Sequence, residues 1–96
     1  MSVEVRIPTV FRKLTNQQAV VEVEAGTVSA VIDRLDERFP GLREQLLTSD
    51  GELHRFVNVY VNDEDVRYLE ALETKASEGD TVSLLPSVAG GARRRP

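Results

Sequence analysis

The chain has 96 residues, of which 41% are hydrophobic and 29% charged, with a formal net charge of −4. These values are typical of one globular domain with a single small core. The sequence has no cysteine and one histidine, which excludes disulfides, thiol catalysis and metal sites built from thiolates or histidine clusters. It also lacks an apolar run of the roughly 18 residues that span a membrane and a secretory signal, so a cytoplasmic protein is expected.

Charge is distributed unevenly along the chain. Residues 93–95 are three of the 12 basic residues, so residues 1–91 hold nine basic against 16 acidic side chains, a net charge of −7. An acidic body repels nucleic acid and favours encounter with a positively charged protein partner. The sequence therefore predicts protein partners, and neither nucleic acid nor membrane.

The first half of the chain predicts a β-hairpin followed by a helix. Apolar and polar residues alternate in segments 3–7 and 19–24, the pattern of strands with one buried face, and these strands are expected to pair. Thr27 is a predicted N-cap. Apolar residues then recur at spacings of three and four from Val28 to Phe39, which predicts an amphipathic helix that a Pro-Gly pair ends.

The second half predicts a short helical turn at residues 42–47, a strong strand at 55–61, a short edge strand around Val66 and a last strand at 81–85. The order of elements is strand, strand, helix, strand, short strand, strand. The predicted fold class is therefore α+β, with a mixed sheet of four to five strands and one main helix packed on one face.

The end of the chain is the most informative segment for function. Residues 1–86 are predicted to form the domain, residues 87–91 a flexible arm ending in Gly90 and Gly91, and residues 92–96 a basic extension. Glycine has no Cβ, so such an arm is thin enough to enter a channel that excludes larger residues. Extended, residues 87–91 span roughly 17 Å at about 3.3–3.6 Å per residue, which reaches a buried site in a partner.

This order of elements, together with Gly90 and Gly91, resembles the β-grasp, or ubiquitin-like, sulfur carriers of the ThiS/MoaD family over residues 3–91. Residues 53–67 (LHRFVNVYVNDEDVR) and 84–91 (LLPSVAGG) look most similar to the subgroup that serves cysteine biosynthesis in actinobacteria. The resemblance implies a β-grasp fold and a sulfur carrier, which is a protein cosubstrate and not an enzyme.

The resemblance also implies the chemistry of the arm formed by Val88, Ala89, Gly90 and Gly91. An E1-like enzyme of the MoeB/ThiF type would use ATP to adenylate the exposed carboxylate of Gly91, and a sulfur donor would displace AMP to leave a thiocarboxylate. The acceptor would be an O-phosphoserine-dependent cysteine synthase with pyridoxal phosphate, and a zinc metalloprotease would release the product. These cofactors belong to partners, and this chain is expected to bind none.

The extension at residues 92–96 departs from the family, whose mature carriers end at the second glycine. While it is present, Gly91 is in a peptide bond and cannot be adenylated. Three interpretations remain open. The extension is a propeptide removed by a metalloprotease, it is a vestige or an addition left from cloning, or it persists and the domain is not a carrier.

Phe56 and Tyr60 lie opposite the valine face of their predicted strand. With Leu85 they are expected to form a partner-binding surface, unless a loop covers them. Other functions also remain open. The arm would serve equally in molybdopterin, thiamin or secondary-metabolite synthesis, in a ubiquitin-like modifier joined to lysine amines through Gly91, or in a non-catalytic interaction module.

Overall fold

The computed structural model describes residues 1–86. The predicted arm residues Val88, Ala89, Gly90 and Gly91, and the extension at residues 92–96, lie outside the described residues. The predictions for these residues therefore stay predictions.

Strands and short helices alternate through the described chain. The strands are β1 (Ser2–Arg6), β2 (Val20–Glu24), β3 (Gly26–Thr27), β4 (Val57–Val61), β5 (Glu64–Asp65), β6 (Lys75–Ala76) and β7 (Thr81–Pro86). The α-helices are α1 (Val28–Arg38) and α2 (Leu42–Leu46), and 3₁₀ helices lie at Thr9–Thr15, Val66–Tyr68 and Ala71–Glu73. Within residues 1–86, no helix is long and apolar enough to cross a membrane.

Five strands form one mixed sheet in the order β2-β1-β7-β4-β5. Strand β1 is antiparallel to β2 and parallel to β7, and β4 is antiparallel to both β7 and β5. The predicted α+β class is thus confirmed, with a five-stranded mixed sheet in the β-grasp arrangement. Strands β3 and β6 form a separate pair, which was not predicted because two residues are too few to show alternation.

Helix α1 forms where the sequence predicts it. The side-chain hydroxyl of Thr27 accepts a hydrogen bond from the backbone N–H of Ala30 at 3.1 Å, so the predicted N-cap is confirmed. Residues at spacings of three and four bury one stripe of the helix in the core, and they are Val28, Val31, Ile32 and Leu35.

The sheet separates the core from a second face. Alternate strand residues are buried with α1, among them Val3, Val5, Val21, Val23, Val57, Val59, Val61, Val82 and Leu84. The residues between them point to the opposite side because side chains alternate along a strand. This side, called the outer face, carries Glu4, Arg6, Val20, Glu22, Asn58, Tyr60, Ser83 and Leu85.

Strand β4 begins at Val57, two residues later than predicted. Arg55 and Phe56 instead form the corner of a turn, which the N–H of Val57 closes by donating to the carbonyl of His54 at 3.0 Å. Phe56 therefore lies before β4, and strand alternation does not determine which way its side chain points.

The edge strand was predicted around Val66, and this placement is wrong. The strand lies at Glu64–Asp65, and Val66 begins a 3₁₀ helix. The reason is a local cap, because the carboxylate of Asp65 accepts a hydrogen bond from the backbone N–H of Arg67 at 2.8 Å. Such a cap favours a helical turn over continued extension.

Candidate functional site

The candidate site lies at one end of the β4–β7 pair. Val57 lies opposite Pro86, which is the last residue of β7 and the last one described. Residues 87–91, the predicted arm, follow Pro86 directly in the sequence. The arm therefore begins beside the surface around Val57 and Pro86.

Two large apolar side chains are exposed near this end. Phe56 is 51% exposed at the corner of its turn, and Leu85 is 45% exposed on the outer face, opposite Asn58. Within residues 1–86, no loop covers Phe56 or Leu85, whereas Tyr60 is half-buried. Large apolar side chains that stay exposed in a folded domain favour a partner-binding surface.

Tyr60 is half-buried on the outer face. It lies opposite Ser83, and Leu85 is the next residue of β7 on the same face, so Tyr60 and Leu85 are diagonal neighbours. Diagonal cross-strand neighbours are within reach of an aromatic side chain. The structure thus brings Tyr60 and Leu85 together on the sheet, while Phe56 lies in the turn that precedes β4.

A groove of about 380 Å³ adjoins Phe56. Two of its apolar lining residues, Val10 and Phe11, were not predicted, because residues 9–14 show neither the strand nor the helix pattern. The two adjacent apolar residues after Pro8 were the available signal. The lining comprises Val10, Phe11, Glu44, Gln45, His54, Phe56, Val57 and Pro86.

The outer face becomes acidic away from this end. Glu4 lies directly opposite Glu22 in the β1–β2 pair. Like charges in this position repel and destabilise the pair, and Arg6 offsets part of the repulsion from 3.8 Å away. A face that is apolar at one end and acidic beyond it suits a protein partner with apolar and basic groups.

The single histidine has a main-chain role in this structure. The N–H of His54 donates to the carbonyl of Leu46 at 2.9 Å, and its carbonyl accepts from Val57. Within the part of the chain that the structure describes, no three His, Asp or Glu side chains are arranged to hold a metal ion.

Known proteins resemble this chain over nearly its full length. Residues 5–91 match the model of the ThiS family. The sulfur carrier protein CysO of Mycobacterium tuberculosis is 48% identical over 93 residues, which is 95% of this chain and 100% of that protein. Small archaeal modifier protein 3 of Haloferax volcanii is 36% identical over 94 residues, with the same coverage of 95% and 100%.

The fold is also similar to a solved structure. The crystal structure of the Amycolatopsis orientalis BexX/CysO complex contains a chain that matches with a TM-score of 0.86 and 46% identity. The match covers 93% of this chain and 99% of that one. The family match extends to residue 91, so it includes both glycines of the predicted arm.

Proposed function

The chain belongs to the ThiS family, and we propose that it is a sulfur carrier of the CysO type. The sulfur is carried as a thiocarboxylate on Gly91 and is donated in cysteine biosynthesis. The observation that carries the proposal is the family match over residues 5–91, which includes both glycines. The 48% identity to a sulfur carrier that is covered completely supports the cysteine pathway over the other destinations.

The chemistry starts from a poor electrophile. A free carboxylate at Gly91 has only oxide to expel, so it first attacks the α-phosphorus of ATP and releases pyrophosphate. The resulting acyl-adenylate has AMP as its leaving group. Hydrosulfide, or a persulfide that is later reduced, attacks the carbonyl carbon and AMP departs. Since the chain has no cysteine, its sulfur is carried at the terminus and not on a side-chain thiol.

Three kinds of partner enzyme follow from this chemistry. An E1-like enzyme of the MoeB/ThiF type uses ATP for the adenylation, and the acceptor is an enzyme such as an O-phosphoserine-dependent cysteine synthase, which carries pyridoxal phosphate. A zinc metalloprotease removes residues 92–96 so that Gly91 has a free carboxylate. The Amycolatopsis orientalis BexX/CysO complex supports the expectation that a carrier of this fold docks onto a second protein.

The exposed surface at Phe56, Tyr60 and Leu85 supports the docking step. An enzyme bound there has the arm beginning beside it at Pro86, and a span of roughly 17 Å carries Gly91 into its active site. The domain thus provides recognition, and the arm provides the reacting group. Because the activating and accepting enzymes need the same arm, they are expected to bind in turn and to compete.

A second candidate function is that of a ubiquitin-like protein modifier. The 36% identity to small archaeal modifier protein 3 favours it. The adenylate would be the same, but a lysine amine would attack it and form an isopeptide bond. The two functions therefore differ in the product formed at Gly91.

Incubating the chain that ends at Gly91 with an E1-like enzyme from the same organism, ATP and sulfide tests the proposal. Mass spectrometry is expected to show one oxygen replaced by sulfur. The full chain of 96 residues is the matched control and is expected to remain unchanged. A chain ending at Gly91 that forms neither adenylate nor thiocarboxylate would contradict the proposal, and isopeptide adducts in cells would favour the modifier.

A further inference from the structure

The guanidinium of Arg67 reaches back to the start of β4, to the turn that carries Phe56. Its Nη2 donates hydrogen bonds to the carbonyl of His54 at 2.9 Å and to the carbonyl of Val57 at 2.7 Å. Its Nη1 donates to the side-chain oxygen of Asn58 at 2.7 Å. One side chain thus holds three acceptors next to the candidate site.

The backbone of Arg67 is itself held in place. It lies in the 3₁₀ helix Val66–Tyr68, and the carboxylate of Asp65 accepts a hydrogen bond from its N–H at 2.8 Å. The side chain therefore starts from a fixed point, which reduces the conformational entropy that its three hydrogen bonds must overcome.

The two carbonyls that Arg67 contacts are the two ends of the turn at residues 54–57. Across this turn, the N–H of Val57 donates to the carbonyl of His54 at 3.0 Å, and Phe56 is at the corner. A planar guanidinium donates in several fixed directions at once, which a lysine ammonium does not reproduce. The direction in which Phe56 points is therefore coupled to Arg67.

The edge of the sheet explains why a side chain is needed here. Strand β5 pairs with β4 at Tyr60 and Val61, so Val57 lies beyond the end of β5. A main-chain carbonyl beyond the paired part of an edge needs a donor from solvent or from a side chain. Arg67 supplies that donor to Val57.

We propose that Arg67 is a positioning residue for partner docking, which fixes the turn at residues 54–57 and so presents Phe56 to a partner next to Pro86. The inference rests on the proposed function, because it concerns the surface on which the partner enzymes dock. Arg67 acts through the turn that carries Phe56 and takes no part in the chemistry at Gly91.

Amide hydrogen exchange of the full chain tests the structural part of this inference. Both Arg67→Ala and Arg67→Lys are expected to speed exchange at the Val57 amide by about tenfold or more, because neither side chain reproduces the simultaneous hydrogen bonds of the guanidinium and the turn then opens locally. Amides of α1 should exchange as before. Arg38→Ala is the matched control, since Arg38 donates to the carbonyl of Glu22 at 2.6 Å on another part of the surface.

Affinity for an E1-like enzyme from the same organism tests the docking part. Arg67→Ala is expected to weaken binding by about tenfold, a typical effect of losing an interface anchor, while Arg38→Ala binds like the wild type. In the presence of Phe56→Ala, Arg67→Ala should have little further effect, because the two residues act as a unit. If Arg67 had only a structural role, Arg67→Ala would lower the stability of the domain, and its effect on affinity would not depend on Phe56.

Unchanged exchange at Val57, or additive losses of affinity in the double variant with Phe56→Ala, would overturn the inference. Arg67→Lys keeps the charge and provides the comparison where Arg67→Ala folds poorly. A wild-type chain that does not bind the enzyme at all would count against the proposed function, and the exchange rates would still decide whether Arg67 fixes the turn.

Discussion

Val57 lies opposite Pro86 at the end of the β4–β7 pair. Since the turn carrying Phe56 precedes Val57 and the arm follows Pro86, an exposed aromatic side chain is next to the start of the reacting segment. An enzyme that recognises Phe56 has Gly91 within roughly 17 Å of Pro86. Partner recognition is therefore a property of the folded domain, and the reaction is a property of residues 87–91.

Phe56→Ser and Leu85→Ser are each expected to raise the KM for the chain in adenylation by about tenfold. The reason is that truncating a residue that anchors an interface costs more than about 1 kcal/mol. Steady-state kinetics with the E1-like enzyme measures this effect. Tyr68→Ser is the control, because Tyr68 is 88% exposed but lies neither on the β4–β7 pair nor in the groove beside Phe56. Equal KM values for all three variants would contradict docking on this surface.

Gly90→Ala and Gly91→Ala are expected to slow the chemical steps and to leave docking unchanged. An added Cβ widens the arm and restricts its backbone, whereas the surface at Phe56 stays intact. Single-turnover formation of the thiocarboxylate should therefore slow while the affinity for the enzyme is retained. Ser87→Ala changes the same arm away from the glycines and should react at the wild-type rate. Undiminished rates in both glycine variants would argue against entry of the arm into a narrow channel.

Asp36→Ala is expected to lower the free energy of unfolding by about 1–2 kcal/mol. Its carboxylate accepts hydrogen bonds from the backbone N–H groups of Gly41 and Arg43, both at 3.1 Å, and so joins α1 to the start of α2. Asp33→Ala is the matched control, because Asp33 makes an exposed ion pair with Arg43 at 3.2 Å that is worth at most about 1 kcal/mol. Urea denaturation distinguishes them, and equal losses would show that Asp36 has no such role.

Ala71→Gly is expected to stabilise the protein by up to about 1 kcal/mol. Ala71 has φ 51°, in the left-handed region that costs an L-residue roughly 1–2 kcal/mol. Glycine removes this cost. Part of the gain is lost because glycine raises the conformational entropy of the unfolded chain. Gly79→Ala makes the opposite change at φ 88°, where the added Cβ meets nothing within 4 Å. It should therefore destabilise by about 1 kcal/mol. Thermal melts in which both substitutions shift the Tm in the same direction would contradict this account of strain.

The longer elements were predictable because their signals are local. The cap at Thr27 and the apolar spacing identify α1, and alternation identifies the longer strands. The 3₁₀ helix Thr9–Thr15 has no such period, and β3 and β6 have two residues each. Their positions depend on contacts between distant segments, which a local pattern does not contain.

The candidate site divides in the same way. Alternation predicted that Tyr60 faces away from the core, and the structure places Tyr60 and Leu85 on the outer face because both lie on regular strands. Val10 and Arg67 were not found, since the approach of Val10 to Phe56 and of Arg67 to His54 depends on how the loops fold. The sequence around Arg67 contains no pattern that indicates which carbonyls its side chain contacts.

The measurement that tests the carrier function most directly is the intact mass of the protein recovered from the cells that produce it. The expected result is a chain that ends at Gly91, with a fraction in which one oxygen is replaced by sulfur. A mass that always includes residues 92–96 would contradict the carrier function, because the carboxylate of Gly91 would never be free to react.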